Sequence, residues 1–453
     1  MDKRTFLKTS SAFVAGGFLK PFKHLIPENL QEIRTNWAGN LEYSAVNFYL
    51  PRTIDELQEQ VRSSEKLRVL GTRHCFNDVA DSTDTQISLE RLDRVMELNE
   101  DDQTVTIDGS VTYGELCPFL DGRGYAIHNL ASLPHISVAG ACATATHGSG
   151  INNGNLATAV QEIEFIDANG EHHHLSQGDD NFYGAVVALG SLGVVTKLKL
   201  NVQPAYQMRQ FVYLDLPVSE LEDNFEQIMS AGYSVSLFTN YQSDTVNQVW
   251  IKQKVEDGAN LPEPEPEFFG GRLADRNVHP IINLSAVNCT EQMGIPGPWY
   301  NRLPHFRLQF TPSSGKELQA EYFVPQEHAV EAYQIINDMK SDLEPLLMIS
   351  EIRTIAEDDL WMSTANGRPS VAFHFTCEQN WRELRMVLPV IEEKLRPFDV
   401  RPHWGKMFTM SPSQLESVYP RMDDFRELVS EYDPNGKFRN TFVQQNLFMD
   451  LYE

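Results

Sequence analysis

One stretch constrains this chain more than any other: Gly71-Thr-Arg-His-Cys-Phe-Asn77. It follows the apolar run Leu67-Arg-Val-Leu70 and leads into a polar loop. That order reads as a buried strand running into a tight, glycine-started loop that presents one imidazole, His74. A second run, Ser132 to Gly150, is built almost wholly of small residues, hydroxyls and glycines and contains no Asp, Glu, Lys or Arg. Backbone of this kind can lie flat against a large ligand and turn its N–H groups toward a pyrophosphate. Two such loops in one domain point to a dinucleotide held by backbone rather than by basic side chains. The signal is not a Rossmann fingerprint, because no G-x-G-x-x-G opens a helix here.

A length of 453 residues suits two domains, and a hydrophobic fraction of 41% gives each a core. The net charge of −26 leaves no basic stripe for nucleic acid. It also disfavours docking on anionic lipid, and it is no obstacle to a neutral sugar or polyol. The cysteines (Cys75, Cys117, Cys142, Cys289, Cys377) are scattered without a C-x-x-C pair, which argues against a disulfide framework or a zinc site. At the start, Lys3-Arg-Thr-Phe-Leu-Lys8 precedes the short apolar run Ala12 to Leu19. This fits a twin-arginine-like export signal, with Lys3 in place of the first arginine, or a disordered tail. The run is too short to span a bilayer, and no other segment is apolar enough.

Periodicity divides the rest. A leader covers 1–31, and an α+β domain follows over 32–205. In it Thr53 caps a helix to Ser64, Thr104–Asp108 is a strand, Tyr113–Gly122 a helix, and Ala159–Leu175 a hairpin about Asn169-Gly170. Longer strands and helices fill a second domain, 206–410, with Asp257–Asn277 expected as a long surface loop and two strand–helix alternations over 318–400. The segment 411–453 carries a helix and returns to the first domain. The sequence shows no internal repeat.

Chemistry can sit at a few places. A lone histidine is more often a surface or satisfied core residue, yet the His74 loop makes covalent attachment to an electrophilic ring methyl reasonable. In Leu347–Ile355, alternation sets Glu351 and Arg353 on one face with Leu347, Ile349 and Ile355. In Ser370–Thr376 it sets His374 and Thr376 together, opposite Val371, Phe373 and Phe375. Each pair alone reads equally as a solvated face, but two such pairs so close in sequence favour a shared pocket. Glu351 is expected to be tied to Arg353. Arg401-Pro-His-Trp-Gly-Lys406 is a rigid turn that can aim Lys406 into a site, where burial and a cationic neighbour would suit it to general-base work. His172-His-His174 reads as a solvated strand. No H-E-x-x-H or G-x-S-x-G motif is present.

These pieces occur together, in this order, in one family. The chain resembles the alditol and xylitol oxidases, FAD-linked oxidoreductases of the vanillyl-alcohol-oxidase type with a PCMH-type FAD-binding domain. The resemblance runs from Asn36-Trp-Ala-Gly-Asn40 to about Phe442. It includes Gly71–Asn77, Leu130–Gly150, Gly193–Thr196, Pro296–Trp299, Leu303-Pro-His-Phe306, Phe310–Gly315, Glu351-Ile-Arg353, His374-Phe-Thr376 and His403-Trp-Gly-Lys406. It implies a two-domain α+β flavoprotein, an FAD-binding domain plus a sheet-and-helix cap, with His74 bonded to the flavin. FAD contacts are implied for Val69, Leu70, Gly71, Thr72, Arg73, Cys75, Ser132, Ser137, Gly140, Thr144, Ala145, Thr146, His147 and Val195. Ser132, Glu351, Arg353, His374, Thr376 and Lys406 are implied to line a polyol pocket, with Lys406 and Arg353 catalytic. The implied reaction converts a terminal hydroxyl to an aldehyde and reduces O2 to hydrogen peroxide. Two departures stand out: Arg73 precedes the histidine where some relatives have a small residue, and Cys75 follows it where Ser is common. The export-like leader leaves another electron acceptor open. The rivals are an aldonolactone oxidase or dehydrogenase and a non-catalytic FAD- or carbohydrate-binding protein.

Overall fold

The computed structural model describes residues 34–255, 262–308 and 316–448. The leader, the start of the expected 257–277 loop and the Phe310–Gly315 block lie outside the described residues. Two units divide the chain, Met1–Arg34 and Thr35–Glu453, and the elements below belong to the second.

The first half holds three sheets, the smallest a pairing of Gln203–Pro204 with Tyr125–Ala126. Asn47–Tyr49, Thr85–Ile87 and Leu67–Val69 pair in parallel, in that order. The helix that enters this layer, Ile54–Ser63, starts where Thr53 accepts from the Glu56 N–H, and it buries Leu57 and Val61. A five-stranded antiparallel sheet contains Thr104–Asp108, Val160–Ile166, His172–Ser176 and Val194–Asn201. Its hairpin turns at Gly170, whose φ of 76° suits glycine. His172, His173 and His174 each meet a carboxylate, from Glu164, Asp167 and Glu162. The small-residue run is neither strand pair nor pure loop, since Val138–Ala143 forms one short helix.

The second half is dominated by a ten-stranded sheet. Across its middle the antiparallel order is Gln207–Pro217, Thr245–Val255, Ser234–Thr239, Leu347–Ile355, Ser370–Glu378 and Glu317–Pro325. Helices Val218–Met229, Ala329–Asp338 and Trp381–Leu395 pack on one face, over buried residues such as Leu237, Ile352, Phe373 and Tyr322. The opposite face is left for the site. Three strands, not two, fall between 317 and 378, because Ser370–Glu378 folds back directly on Leu347–Ile355.

Two further expectations are corrected here. The described part of the 257–277 loop contains a hairpin, Glu267–Phe268 with Gly271–Leu273, at the sheet edge. Its turn residues Phe269 and Gly270 have φ of 45° and 77°, the double positive φ of a tight hairpin turn. The tail carries helices Pro412–Val418 and Met422–Tyr432, separated at Pro420, which cannot donate an N–H to a continuing helix, and a further helical segment, Thr441–Val443, that runs into a π-helix over Gln444–Phe448. The tail then packs against the first half. The Leu67 N–H donates to Lys437 O at 2.9 Å, and the buried Arg68 guanidinium donates to carbonyls of Val79, Leu189, Gly190 and Phe438.

Candidate active site

The Glu351, His374 and Glu321 strands place their polar residues in register. Glu351 lies opposite His374, and His374 opposite Glu321, so the three form one row across adjacent strands. Thr376 is paired with Ile349 on one side and Gln319 on the other. Direct partners share a face, which brings the Glu-x-Arg and His-x-Thr pairs into one wall, as alternation implied. Lys406 reaches the same wall from the turn after Arg401–Pro402, a short strand that pairs with Tyr322 and Phe323.

Glu321 is the centre of this wall, and the sequence reading missed it. Its fully buried carboxylate accepts from Lys406 Nζ at 2.7 Å, from the Arg353 guanidinium at 2.7 Å and from His147 Nε2 at 3.2 Å. Burial alone would raise this carboxyl, but Lys406, His147 and Arg353 hold it well below the usual range. Lys406 is itself pushed below the usual lysine range by burial; Glu321 opposes that shift and Arg353 adds to it. The expected Glu351–Arg353 tie is the weaker of two contacts. Arg353 Nε stands 3.5 Å from Glu351 while the guanidinium turns to Glu321. The close partner of Glu351 is His305, at 2.7 Å. Burial would raise the Glu351 carboxyl as well, but Arg353 and then His305 keep it ionised.

His374 stands between the two carboxylates with both ring nitrogens buried and without a protein partner. Burial, then Lys406, lowers it to about 3, so the ring is neutral at pH 7. A neutral imidazole offers one donor and one acceptor, which matches a hydroxyl group. A buried ring with neither nitrogen satisfied is costly unless a ligand completes it.

The His74 loop lies across the same cavity. Its rim is tight: a Cβ on Gly71 or on Gly140 would come within 2.8 or 2.7 Å of Ser137 Oγ. Among the described residues, none of the N–H groups from Gly71 to Cys75 meets a protein acceptor. The Ser137 N–H donates to Thr72 Oγ1 at 3.1 Å and joins the two loops. Trp37 stacks on His74 at 5.3 Å, and Asn36 and Asn40 donate to the carbonyls of Cys75 and Phe76. Desolvation, then His135 and Arg73, lowers His74 to about 4, so at neutral pH its imidazole is uncharged and keeps one nitrogen lone pair for nucleophilic attack. Arg73 has φ of 65° and Ala145 of 54°, both unusual for residues with a Cβ.

A clamp joins this loop to Lys406. Asn77 Nδ2 donates to the carbonyls of Trp404 and Lys406, each at 2.8 Å, and the Phe76 N–H donates to Gly405 O at 2.8 Å. Gly405 has no side chain, and a Cβ there would meet Cys75 Sγ at 3.2 Å.

One continuous cavity of about 660 Å³ runs past both regions. It is lined by Val69–Phe76, Ser132, Ser137, Gly140, Thr144, Thr146, His147 and Val195. Glu321, Glu351, Arg353, His374, Thr376, His403 and Lys406 line the same cavity. Of the residues singled out from the sequence only Ala145 is absent from this lining, being fully buried behind it. The unpaired N–H run, the glycine rim and the volume of the cavity fit a flavin dinucleotide. The charged wall beyond it fits a small polyhydroxylated substrate.

A family model described as an FAD binding domain matches residues 47–176, and one described as D-arabinono-1,4-lactone oxidase matches residues 311–446. Among solved structures, a cholesterol oxidase from B. sterolicum shares the fold, with a TM-score of 0.72 over 96% of this chain and 100% of that one, at 14% identity. Fold and site together define an FAD-dependent oxidoreductase of the vanillyl-alcohol-oxidase type. An alditol oxidase from Streptomyces sp. is 43% identical over 91% of this chain and 98% of its own length. An L-gulono-1,4-lactone dehydrogenase from Mycobacterium tuberculosis is 26% identical over 92% of this chain and 100% of its own. The chain belongs to the alditol oxidase family.

Proposed function

We propose that this protein oxidises a terminal hydroxyl of an alditol such as xylitol or sorbitol to the aldehyde, with O2 reduced to hydrogen peroxide. The observation that carries the reading is the row Glu351–His374–Glu321, polar groups set at strand spacing along one wall of an FAD-sized cavity. Bound FAD, attached through His74, supplies the acceptor for the hydride from C1 and the route of its electrons to O2. Hydride leaves easily only as the hydroxyl becomes alkoxide-like, so a base must take its proton. Lys406 in its neutral form fills that role; burial favours this form. Arg353 orients the hydroxyl and offsets the negative charge that develops on it. Glu351, His374, Thr376 and Ser132 read the remaining hydroxyls. Each hydroxyl missing from a substrate leaves a buried polar group unpaired, at about 1–3 kcal/mol.

The lactone reading keeps two supports, the family model over 311–446 and the more distant L-gulono-1,4-lactone dehydrogenase relative. A lactone, however, offers fewer hydroxyls to a wall with this many charged groups. Product analysis separates the two: xylitol should give one aldehyde and one peroxide per O2 consumed, and turnover of lactones alone would overturn the proposal. We further propose that the leader directs export, as its charged start and weak apolar run suggest. Among the described residues no helix is long and apolar enough to cross a membrane.

A further inference from the structure

Behind Glu351 lies a buried pair that the reaction as described does not use. Lys252 comes from Thr245–Val255, lies opposite Ser234 and Gln210, and is 1% exposed. Its Nζ donates to the Leu303 carbonyl and stands 3.1 Å from His305 Nδ1. His305 Nε2 in turn lies 2.7 Å from Glu351 Oε1. The His305 ring is gripped edge-on by Phe238 at 5.3 Å and Trp250 at 5.0 Å, so it cannot swing away.

The chemistry of the three groups fixes their roles. An ammonium has three N–H bonds and no lone pair, so Nδ1 facing it must be the acceptor. Burial, then Lys252, lowers His305 to about 4, so the ring carries one proton at neutral pH. That proton must then sit on Nε2 and point at Glu351. Lys252 is lowered to about 7 by burial, but a neutral amine also has N–H bonds to give, so the direction of donation survives its titration. Metal-bound histidines are fixed by the partner of their second nitrogen in the same way.

We propose that Lys252 and His305 are positioning residues that aim Glu351, and that through it they set the enzyme's preference for longer alditols. Lys406 pairs with Glu321, at one end of the row, and Glu351 lies two strands away, about 9–10 Å across the sheet. With C1 held at Lys406, Glu351 faces hydroxyls further along the chain. A pentitol or hexitol reaches toward it, and glycerol stops short. The proposal rests on the alditol reading above.

The test is the rate of anaerobic flavin reduction by xylitol and by glycerol in wild type, Lys252→Met, Glu351→Gln and the double variant. Lys252→Met keeps the length and loses the donor. It should lower kred/Kd for xylitol roughly tenfold, the worth of one hydrogen bond to a charged group, while glycerol changes less than about twofold. In the Glu351→Gln background Lys252→Met should add nothing further, because it acts only through Glu351. Equal losses for both substrates, full additivity in the double variant, or no change at all would each overturn the inference. Should Lys252→Met lose its fold or FAD, His305→Leu carries the same comparison, and His305→Gln, which can still donate to Glu351, should restore the preference. Failure of the alditol reading would look different, since wild type itself would then be inert to xylitol.

Discussion

Glu321→Gln tests the electrostatics of the site most finely. The substitution keeps the shape of the side chain and removes the negative charge 2.7 Å from Lys406 Nζ. In the native site that charge raises Lys406 against a larger lowering by burial. An opposite charge at this range is worth about 1–3 pKa units, or about 1.4–4 kcal/mol. The base works only when neutral, so flavin reduction should rise with pH and level off above the Lys406 pKa. Removing the carboxylate lowers that pKa further, and the rising limb should move to lower pH by about 1–3 units. The plateau will also fall, because Arg353 loses its 2.7 Å partner; the position of the limb is the readout, not its height. The assay is anaerobic stopped-flow reduction by saturating xylitol across pH, with FAD content checked by absorbance. An unmoved limb, or one displaced upward, refutes the argument. Reduction lost at every pH with FAD in place would make Glu321 itself the proton acceptor.

Other expectations follow from the same geometry. Wild-type protein precipitated in acid should give a yellow pellet, while His74→Ala should release its flavin to the supernatant and keep its fold; release from wild type would end the covalent proposal. Lys406→Met should retain FAD but lose about 3 kcal/mol or more of transition-state stabilisation, roughly a hundredfold in reduction rate, and near-native reduction would exclude Lys406 as the base. Asn77→Asp turns a donor to the Trp404 and Lys406 carbonyls into an acceptor facing them. It should cost about 1–3 kcal/mol in thermal unfolding and lower the covalently flavinylated fraction; unchanged values for both would show the clamp to be idle.

Much of this site is legible in the sequence, for identifiable reasons. Period-2 alternation sets Glu351 with Arg353 and His374 with Thr376, and the register that joins them adds only which strand is neighbour to which. Glu321 escapes because Glu317-Leu-Gln-Ala-Glu321 alternates polar and apolar just as a solvated strand does. Its complete burial arises from Lys406, Arg353 and His147, all distant in sequence. Lys252 closes the run Gln248-Val-Trp-Ile-Lys252, where a lysine after three apolar residues reads as a solvent-facing strand end. The Asn77 clamp spans more than 300 residues and leaves no local trace. Glu351 finds His305 rather than Arg353 because a guanidinium placed between two carboxylates takes the one with better geometry, at 2.7 Å against 3.5 Å. The edge hairpin at 267–273 was lost in a composition of Pro, Glu and Gly that usually marks irregular loop.

The most direct test of the central claim is a single anaerobic mixing experiment on the flavin-loaded protein. Xylitol, a 1,4-lactone of similar size and a simple alcohol are each mixed with the oxidised protein, and bleaching of the flavin band is followed. The account predicts fast bleaching by xylitol and little by the other two, because only the polyol satisfies Glu351, His374 and Thr376 together. Faster bleaching by the lactone than by any alditol would contradict it.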